Sequence, residues 1–195
     1  GSEMCIRDRY GEPVELPQHE QTTPLNSRVP YAVVKNVGES FFRSYEKVYG
    51  LPYTIFRFFN TYGPNQSMDF VISKFLHAAL KGDDITIYGD GSQTRTFCYV
   101  DDNINACIKI FEENHILNDV INIGGAKEYK IIDVAKTIIN ISGSSSKIIH
   151  LPPLPEGDMT RRMPDNTKML KILNKELISL EDGINRMIDH PDFKM

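Results

Sequence analysis

Several features are scarce in this sequence, and each absence narrows the functions that it could have. No apolar run approaches the roughly 20 residues that a membrane-spanning helix needs. Acidic residues outnumber basic ones by 26 to 22, so there is no positive excess for nucleic acid or an anionic membrane. The three cysteines are irregularly spaced, unlike a metal site or a disulfide framework, and fit a reducing compartment. We therefore expect a cytoplasmic protein with no metal, no nucleic-acid partner and no membrane partner.

The composition that is present indicates an ordinary globular protein with an α/β fold. Its 195 residues are 41% hydrophobic and 25% charged, enough for one domain or one and a half. Strands alternate with helices along the chain, which favours parallel strand pairing. The patterns predict helices over 31–49, 70–80, 101–113 (with Asp101 as the N-cap), 131–141, 167–173 and 180–188. They predict strands over 53–59, 85–88, 96–100, 120–123 and 147–150.

The first candidate for chemistry is the pair Tyr31 and Lys35 at the start of the first predicted helix. Residues four apart lie on one helical face. A tyrosine is a poor base at neutral pH, but a neighbouring ammonium favours the phenolate and lowers its pKa. Such a pair would occur by chance in roughly half of chains with this length and composition, so it carries weight only with other motifs.

Two further motifs follow. The run from Arg57 to Pro64 places Asn60 at the end of a predicted strand, where open α/β sheets bind ligands. The run from Ile87 to Asp102 sets Arg95 between a glycine turn and a strand, and an arginine fork suits phosphate oxygens. Arg161 and Arg162 offer more donors for an anion. Each has a structural alternative: Asn60 could cap a turn, Arg95 could pair with a surface acid, and the double arginine could be solvated.

The three motifs occur in one order and spacing: Tyr-x-x-x-Lys-x-x-Gly-Glu, Arg-Phe-Phe-Asn-x-Tyr-Gly-Pro and Ile-Tyr-Gly-Asp-Gly-x-Gln-x-Arg-x-Phe-x-Tyr-Val-Asp-Asp. Together they closely resemble the extended short-chain dehydrogenase/reductase superfamily, and within it the NAD-dependent nucleotide-sugar epimerases, dehydratases and decarboxylases. The segment from Gly91 to Asp102 and the Arg162–Asp165 segment look most like UDP-glucuronate decarboxylases. The resemblance covers Tyr10 to about Ile188.

This resemblance implies a role for each candidate residue. Tyr31 would be the catalytic base, and Lys35 would hold the nicotinamide ribose and lower the tyrosine pKa. Phe58 would approach the nicotinamide of NAD. The base would take the sugar 4-hydroxyl proton as hydride leaves C4 for NAD, which is regenerated within one turnover. The nucleotide-sugar, a UDP-sugar, would be bound by these residues: Asn60, Tyr88, Arg95 and Arg162.

The sequence also departs from the family pattern. It contains no Gly-x-x-Gly-x-x-Gly turn to cradle the cofactor pyrophosphate, and Ile6 to Arg9 stands where the family has a Ser/Thr that contacts the substrate. The resemblance thus implies the carboxyl-terminal part of a Rossmann-like doubly wound parallel sheet plus a smaller α/β substrate-binding domain. We expect an artefactual leader over 1–9, a cofactor-domain remnant over 10–62, and a mainly substrate domain over 63–195 with segments that return to the sheet. Such a chain would be inactive alone.

Alternatives stay open at this stage. The protein could instead be a nucleotide-sugar 4-epimerase or 4,6-dehydratase, which also form the C4 ketone but convert it differently. A non-catalytic nucleotide-sugar-binding or dimerisation module would keep Arg95 and Arg162 without Tyr–Lys chemistry, and a generic α/β domain with chance motifs is the third possibility. The resemblance also implies a homodimer through the Tyr31–Tyr49 helix, whose Phe41, Phe42 and Tyr45 form an apolar stripe, although burial within the subunit would explain that stripe equally.

Overall fold

The computed structural model describes residues 16–21, 30–153 and 161–194, and the side chains of the first helix from Val33 onward. The predictions for residues 1–9, and for the side chain of Tyr31, lie outside the described residues. The division of the chain into domains at residues 62 and 63 stays a prediction.

The predicted helices are present, and each end lies within one residue of its predicted position. They are α1 (Pro30–Tyr49), α2 (Val71–Lys81), α3 (Val100–Glu113), α4 (Ile131–Ser142), α5 (Thr167–Leu173) and α6 (Leu180–Asp189). Gly50 follows α1 with a φ of +65°, the left-handed conformation that glycine adopts most readily at a helix end. The prediction for Asp101 is wrong: Tyr99 is the N-cap of α3, and Asp101 lies in the first turn, where its charge favours the positive helix end.

The strands are short and mostly parallel. They are β1 (Thr54–Phe58), β2 (Thr61–Tyr62), β3 (Ile85–Tyr88), β4 (Thr94–Thr96), β5 (Cys98–Tyr99), β6 (Asp119–Ile123), β7 (Glu128–Lys130), β8 (Ile148–Leu151) and β9 (Arg161–Arg162). The parallel pairs are β1 with β6, β2 with β5, β3 with β8, and β4 with β9. β7 pairs antiparallel with the other edge of β4.

One predicted strand, 96–100, is divided between two sheets. Thr96 ends β4, and Cys98 begins β5, which pairs with β2 instead. The chain changes sheet at Phe97, where the backbone of Gly125 passes so closely that a Cβ on Gly125 would lie 2.1 Å from the Phe97 carbonyl oxygen. β2, β7 and β9 are too short to show an alternating pattern, so the sequence did not predict them.

Two apolar clusters hold these elements together. In one, α2, α4 and α6 pack on β3, with Leu76, Ile85, Val134 and Ile184 almost fully buried. In the other, α3 and α5 pack on β6. At roughly 1.5–3 kcal/mol for each large apolar side chain removed from water, these two clusters are the main source of stability.

The apolar stripe of α1 is not covered by the described part of the chain. Val34, Val37, Phe41, Tyr45 and Val48 are each between 50 and 68% exposed. Within the part of the chain that the structure describes, no other element buries this stripe. Packing of this stripe against a second copy stays a prediction. Elsewhere, the described residues include no helix that is both long and apolar enough to cross a membrane.

Cys98 supplies a test of the second cluster. Its side chain is buried, and desolvation together with the nearby Asp102 carboxylate raises the pKa of its thiol to about 12. Very little of the thiol is then present at pH 8 as the thiolate, the reactive form. We expect iodoacetamide to leave Cys98 unmodified in the native protein and to modify it in denaturant, as read by peptide mass spectrometry. Cys107, which is only partly buried, is the internal comparison and should react first. Equal rates of modification at the two cysteines would contradict the burial of Cys98 in the second cluster.

Candidate functional site

The candidate site lies at the carboxyl ends of the parallel strands β1 and β6. Phe58 ends β1, and Gly124 and Gly125 follow β6 at the same edge. The ring of Phe58 is 54% exposed although the residue is large and apolar. Open α/β sheets bind ligands outside this edge, as the sequence predicted for Asn60.

A cavity of about 540 Å³ opens beside this edge, a size typical of small-molecule sites. Two sequence-predicted residues of the β1–β2 region, Phe58 and Asn60, line it together with Arg162 from β9. The amino end of α2 borders the same cavity, and its N-cap Phe70 makes no side-chain cap bond. The partial positive charge of that helix end favours an anion there.

Arg95 and Arg162 form the most distinctive part of the site. They are register partners in the adjacent strands β4 and β9, so their side chains project from the same face of the sheet. Both residues are buried, with 7% and 6% of their surface exposed. Arg95 Nη1 donates to the Thr94 carbonyl oxygen at 2.8 Å. Arg162 lines the cavity, and Arg95 lies beside it on the neighbouring strand.

The other half of the double arginine points away. Arg161 lies on the opposite face of β9, where its Nε and Nη2 donate to the two Glu128 carboxylate oxygens at 2.7 and 2.6 Å. These two bonds, and a third that the Thr94 hydroxyl donates to Glu128 Oε1, hold the pKa of the Glu128 carboxyl below its usual range. Arg161 is therefore held by an acidic partner on the far face of the strand, and Arg162 alone of the pair lines the cavity.

Asn60 has a structural bond in addition to its place in the cavity wall. It adopts a φ of +39°, and its Nδ2 donates to the Thr96 carbonyl oxygen at 2.9 Å. This bond joins the β1–β2 turn to β4. It thereby holds Phe58 and Arg95, which are on different sheets, in one arrangement.

The remaining predicted residues are placed differently. Lys35 is exposed on α1, four residues after Tyr31 in the same helix. Tyr88 ends β3 in a separate sheet and does not line the cavity; its ring lies 5.8 Å from Lys74 Nζ. The structure thus places Phe58, Asn60 and Arg162 around the cavity, with Arg95 next to Arg162 in β4, and leaves Tyr88 apart from them.

Tyr62 borders the cavity, but its environment suits it to a structural role. Tyr62 is buried, and this burial raises the pKa of its phenol above the usual value. Its hydroxyl donates to the Ser179 carbonyl oxygen at 3.2 Å. A base must lose its proton, so Tyr62 does not compete with Tyr31 for that role.

Sequence reasoning missed two features of the site. Gln66 lines the cavity with its side-chain amide held by Thr61 and Ser73, a contact that only folding brings together. Arg57 and Glu39, both inside the quoted motifs but without an assigned role, form a buried ion pair. A charged residue on an otherwise apolar strand was the signal available for Arg57. Among the residues that the structure describes, no cluster of three or more His, Cys, Asp or Glu side chains could hold a metal ion.

Comparison with known proteins connects this geometry to a family. Residues 8–124 match the NAD dependent epimerase/dehydratase family. The chain belongs to this family. That assignment agrees with the motif resemblance, and the family is one of NAD-dependent enzymes that act on nucleotide-sugars.

Individual relatives of the epimerase/dehydratase family give the same result. A UDP-N-acetyl-alpha-D-glucosaminuronate decarboxylase of Bacillus cytotoxicus is 39% identical over 170 residues, covering 83% of this chain and 52% of the relative. UDP-glucuronic acid decarboxylase 1 of Xenopus tropicalis is 34% identical over 188 residues, which cover 93% of this chain and 44% of the relative. The chain spans about half the length of these curated relatives.

A solved family structure confirms the fold class. UDP-glucuronic acid 4-epimerase from Bacillus cereus, in complex with UDP-glucuronic acid and NAD, superposes with a TM-score of 0.81 at 34% identity. The match covers 92% of this chain and 57% of that one. The α/β, Rossmann-like fold predicted from the sequence is therefore confirmed.

Proposed function

We propose that this chain is part of an NAD-dependent enzyme that modifies a UDP-sugar by transient oxidation at sugar C4, with UDP-glucuronate decarboxylation as its reaction. The observation that carries the proposal is the side-by-side placement of Arg95 and Arg162, both buried, in β4 and β9 beside the cavity. A nucleotide diphosphate presents oxygens in pairs, which arginine forks bind bidentately. The amino end of α2 adds to the positive potential at the same cavity.

The residues present also fit the nicotinamide half of NAD. Phe58 presents a half-exposed aromatic ring at the carboxyl end of β1, and Lys35 presents an exposed ammonium on α1. A flat apolar surface and a cation suit a nicotinamide ring and its ribose hydroxyls, respectively. When bound, NAD supplies the hydride acceptor and donor at C4.

The chain's own residues have the following parts in the reaction. Arg95 and Arg162 hold the diphosphate, which orients the sugar. Tyr31 takes the proton of the sugar 4-hydroxyl, and Lys35, one turn along α1, stabilises the phenolate. The C4 ketone turns a uronate into a β-keto acid. Its carbon–carboxylate bond then breaks, carbon dioxide leaves, and the electron pair moves into the enolate of the ketone before C5 is protonated.

Two alternatives compete with decarboxylation. The same C4 ketone permits 4-epimerisation, and a family structure solved with UDP-glucuronic acid is a 4-epimerase. A non-catalytic binding or dimerisation module, the alternative from another class, would use the arginine pair and not Tyr31. The similar proteins described above favour decarboxylation, since two of them are decarboxylases of UDP-uronates.

The test uses the complete reading frame that contains this sequence, since the chain spans about half of its relatives. The purified protein is incubated with UDP-glucuronate and NAD, and the products are resolved by mass spectrometry. Formation of UDP-xylose, 44 mass units lighter through loss of carbon dioxide, is the expected result. UDP-galacturonate of unchanged mass would instead assign the 4-epimerase. UDP binding without turnover of either UDP-glucuronate or UDP-glucose would assign the binding module and overturn the proposal. The 195-residue polypeptide by itself should turn over negligibly.

A further inference from the structure

The helix that carries Tyr31 and Lys35 is attached to the sheet by a buried ion pair. Among the side chains of α1 that the structure describes, Val33 to Tyr49, Glu39 is the buried one, with 6% of its surface exposed. Its two carboxylate oxygens accept hydrogen bonds from Arg57 Nε and Nη2, each at 3.0 Å. This bidentate geometry fixes both the distance and the rotation of the two groups.

Arg57 places the other end of this pair next to the site. It lies on β1, is 7% exposed, and precedes Phe58, which lines the cavity. Its Nη1 donates to the Glu20 carbonyl oxygen at 2.7 Å. The guanidinium therefore connects α1, the sheet and the 16–21 segment.

The hydrogen bonds continue from that segment to the strand of Arg162. Asn122 of β6 donates its backbone N–H to Glu20 Oε1 at 3.2 Å and its Nδ2 to the Gln18 carbonyl oxygen at 3.0 Å. Gln18 in turn donates its N–H to the carbonyl oxygen of Met163, the neighbour of Arg162, at 2.8 Å. An unbroken hydrogen-bonded chain thus joins the helix of Tyr31 to the wall of the cavity.

Other described contacts of α1 would not define its position as sharply. The ring of Phe42 lies 6.3 Å from that of Tyr53, and Asn118 Nδ2 lies 3.4 Å from Glu46 Oε1. Stacked rings and a long exposed hydrogen bond tolerate sliding and rotation, whereas a buried fork does not. At about 1.5 Å per residue, Tyr31 lies about 12 Å along the helix from Glu39 and Lys35 about 6 Å, so a small rotation at Glu39 displaces both.

We propose that the Glu39–Arg57 pair is a positioning element that aligns Tyr31 and Lys35 with the ligands held by β1 and β9. The inference rests on the proposed function for its effect on turnover, whereas its effect on the helix does not depend on any activity. A purely stabilising pair would change the unfolding midpoint and leave the chemistry of Tyr31 as it is. A positioning pair would change that chemistry in the folded protein.

The test compares Glu39→Gln with Arg43→Gln in the complete protein. Glutamine keeps the shape of Glu39 and loses the charge. Arg43 is the matched control: it is on the same helix and 3.7 Å from Glu39 Oε2, but its side chain is 55% exposed, so its loss should change little. In Glu39→Gln we expect kcat to fall about 10- to 100-fold, since misplacement by about 1 Å can cost that much. The UDP dissociation constant should stay within about twofold, because the arginine pair is a separate site.

Two readouts distinguish positioning from stability. If Tyr31 loses its alignment with Lys35, its phenolate is less stabilised, so the acid limb of kcat should move to higher pH in Glu39→Gln. Hydrogen exchange of the amides of residues 34–38, the first that bond to carbonyls within α1, should become at least about tenfold faster in Glu39→Gln and not in Arg43→Gln. Arg57→Lys keeps the charge and loses the bidentate fork. Its acid limb of kcat and its amide exchange rates should lie between those of the wild type and Glu39→Gln.

The outcomes separate this inference from the proposed function. A wild-type protein that turns over no UDP-sugar overturns the proposed function, and hydrogen exchange then decides the positioning role alone. Glu39→Gln with wild-type exchange over residues 34–38 overturns the positioning role, even if its unfolding midpoint falls. In an active wild type, an unchanged acid limb of kcat in Glu39→Gln also overturns it.

Discussion

Tyr31→Phe should lower kcat at least about 10³-fold, because positioned general bases contribute about 10²–10⁴-fold and phenylalanine has no group to accept the 4-hydroxyl proton. The UDP dissociation constant should be unchanged, since Tyr31 belongs to α1 whereas Arg95 and Arg162 belong to β4 and β9. The measurement is a steady-state assay of the complete protein with UDP-glucuronate, with UDP binding followed by calorimetry.

Tyr49→Phe is the control for this prediction. Tyr49 ends the same helix, is 66% exposed, and lies against Tyr45 with ring centroids 5.3 Å apart. Loss of its hydroxyl should leave kcat within about twofold of the wild type, as for most surface changes. If Tyr31→Phe retains more than about a tenth of wild-type kcat, Tyr31 is not the base.

Arg162→Gln should weaken UDP binding by about 10- to 100-fold, the equivalent of the roughly 1.5–3 kcal/mol of a charged hydrogen bond. Arg95→Gln should act similarly because it lies at the partner position in β4. Both variants should also show a smaller dependence of UDP affinity on salt, since each removes one screened charge interaction. Titration calorimetry at two salt concentrations measures both effects.

Arg161→Gln provides the matched control. It changes the adjacent residue of the same strand in the same way, but on the opposite face, where Arg161 pairs with Glu128. Its UDP affinity should match the wild type. Arg162→Lys guards against misfolding, since it keeps the charge and should bind with intermediate affinity. Equal losses in Arg161→Gln and Arg162→Gln would show that the predicted arginine pair does not recognise the diphosphate.

The fold could be predicted from the sequence where the signal is local. The helices from α1 to α6 were predicted to within about two residues because apolar side chains recur at helical spacing and because Gly50, Gly82 and Gly143 end three of them. The long strands β1, β3 and β6 were predicted because they are apolar runs between turns. The short strands β2, β7 and β9 were not, since two or three residues show no period.

The candidate site was predicted as a set of residues and not as an arrangement. Asn60 and Phe58 could be placed at the end of a strand, and the structure confirms that position. Tyr88 could be expected near the other ligands only from the family resemblance, and the structure puts it on a separate sheet. Their roles in binding and catalysis stay predictions until the variants above are measured.

The amino-acid sequence by itself determined the family, the α/β class, and the presence of Tyr31 and Lys35 four residues apart in one helix, because these depend on order and spacing along the chain. Only the tertiary structure decided which of two consecutive arginines reaches the cavity, because that depends on the alternation of a two-residue strand paired with β4. It also decided that Glu39 is buried against Arg57, 18 residues away. A buried charge is stable only with its partner in place, and that partner is brought to it by folding.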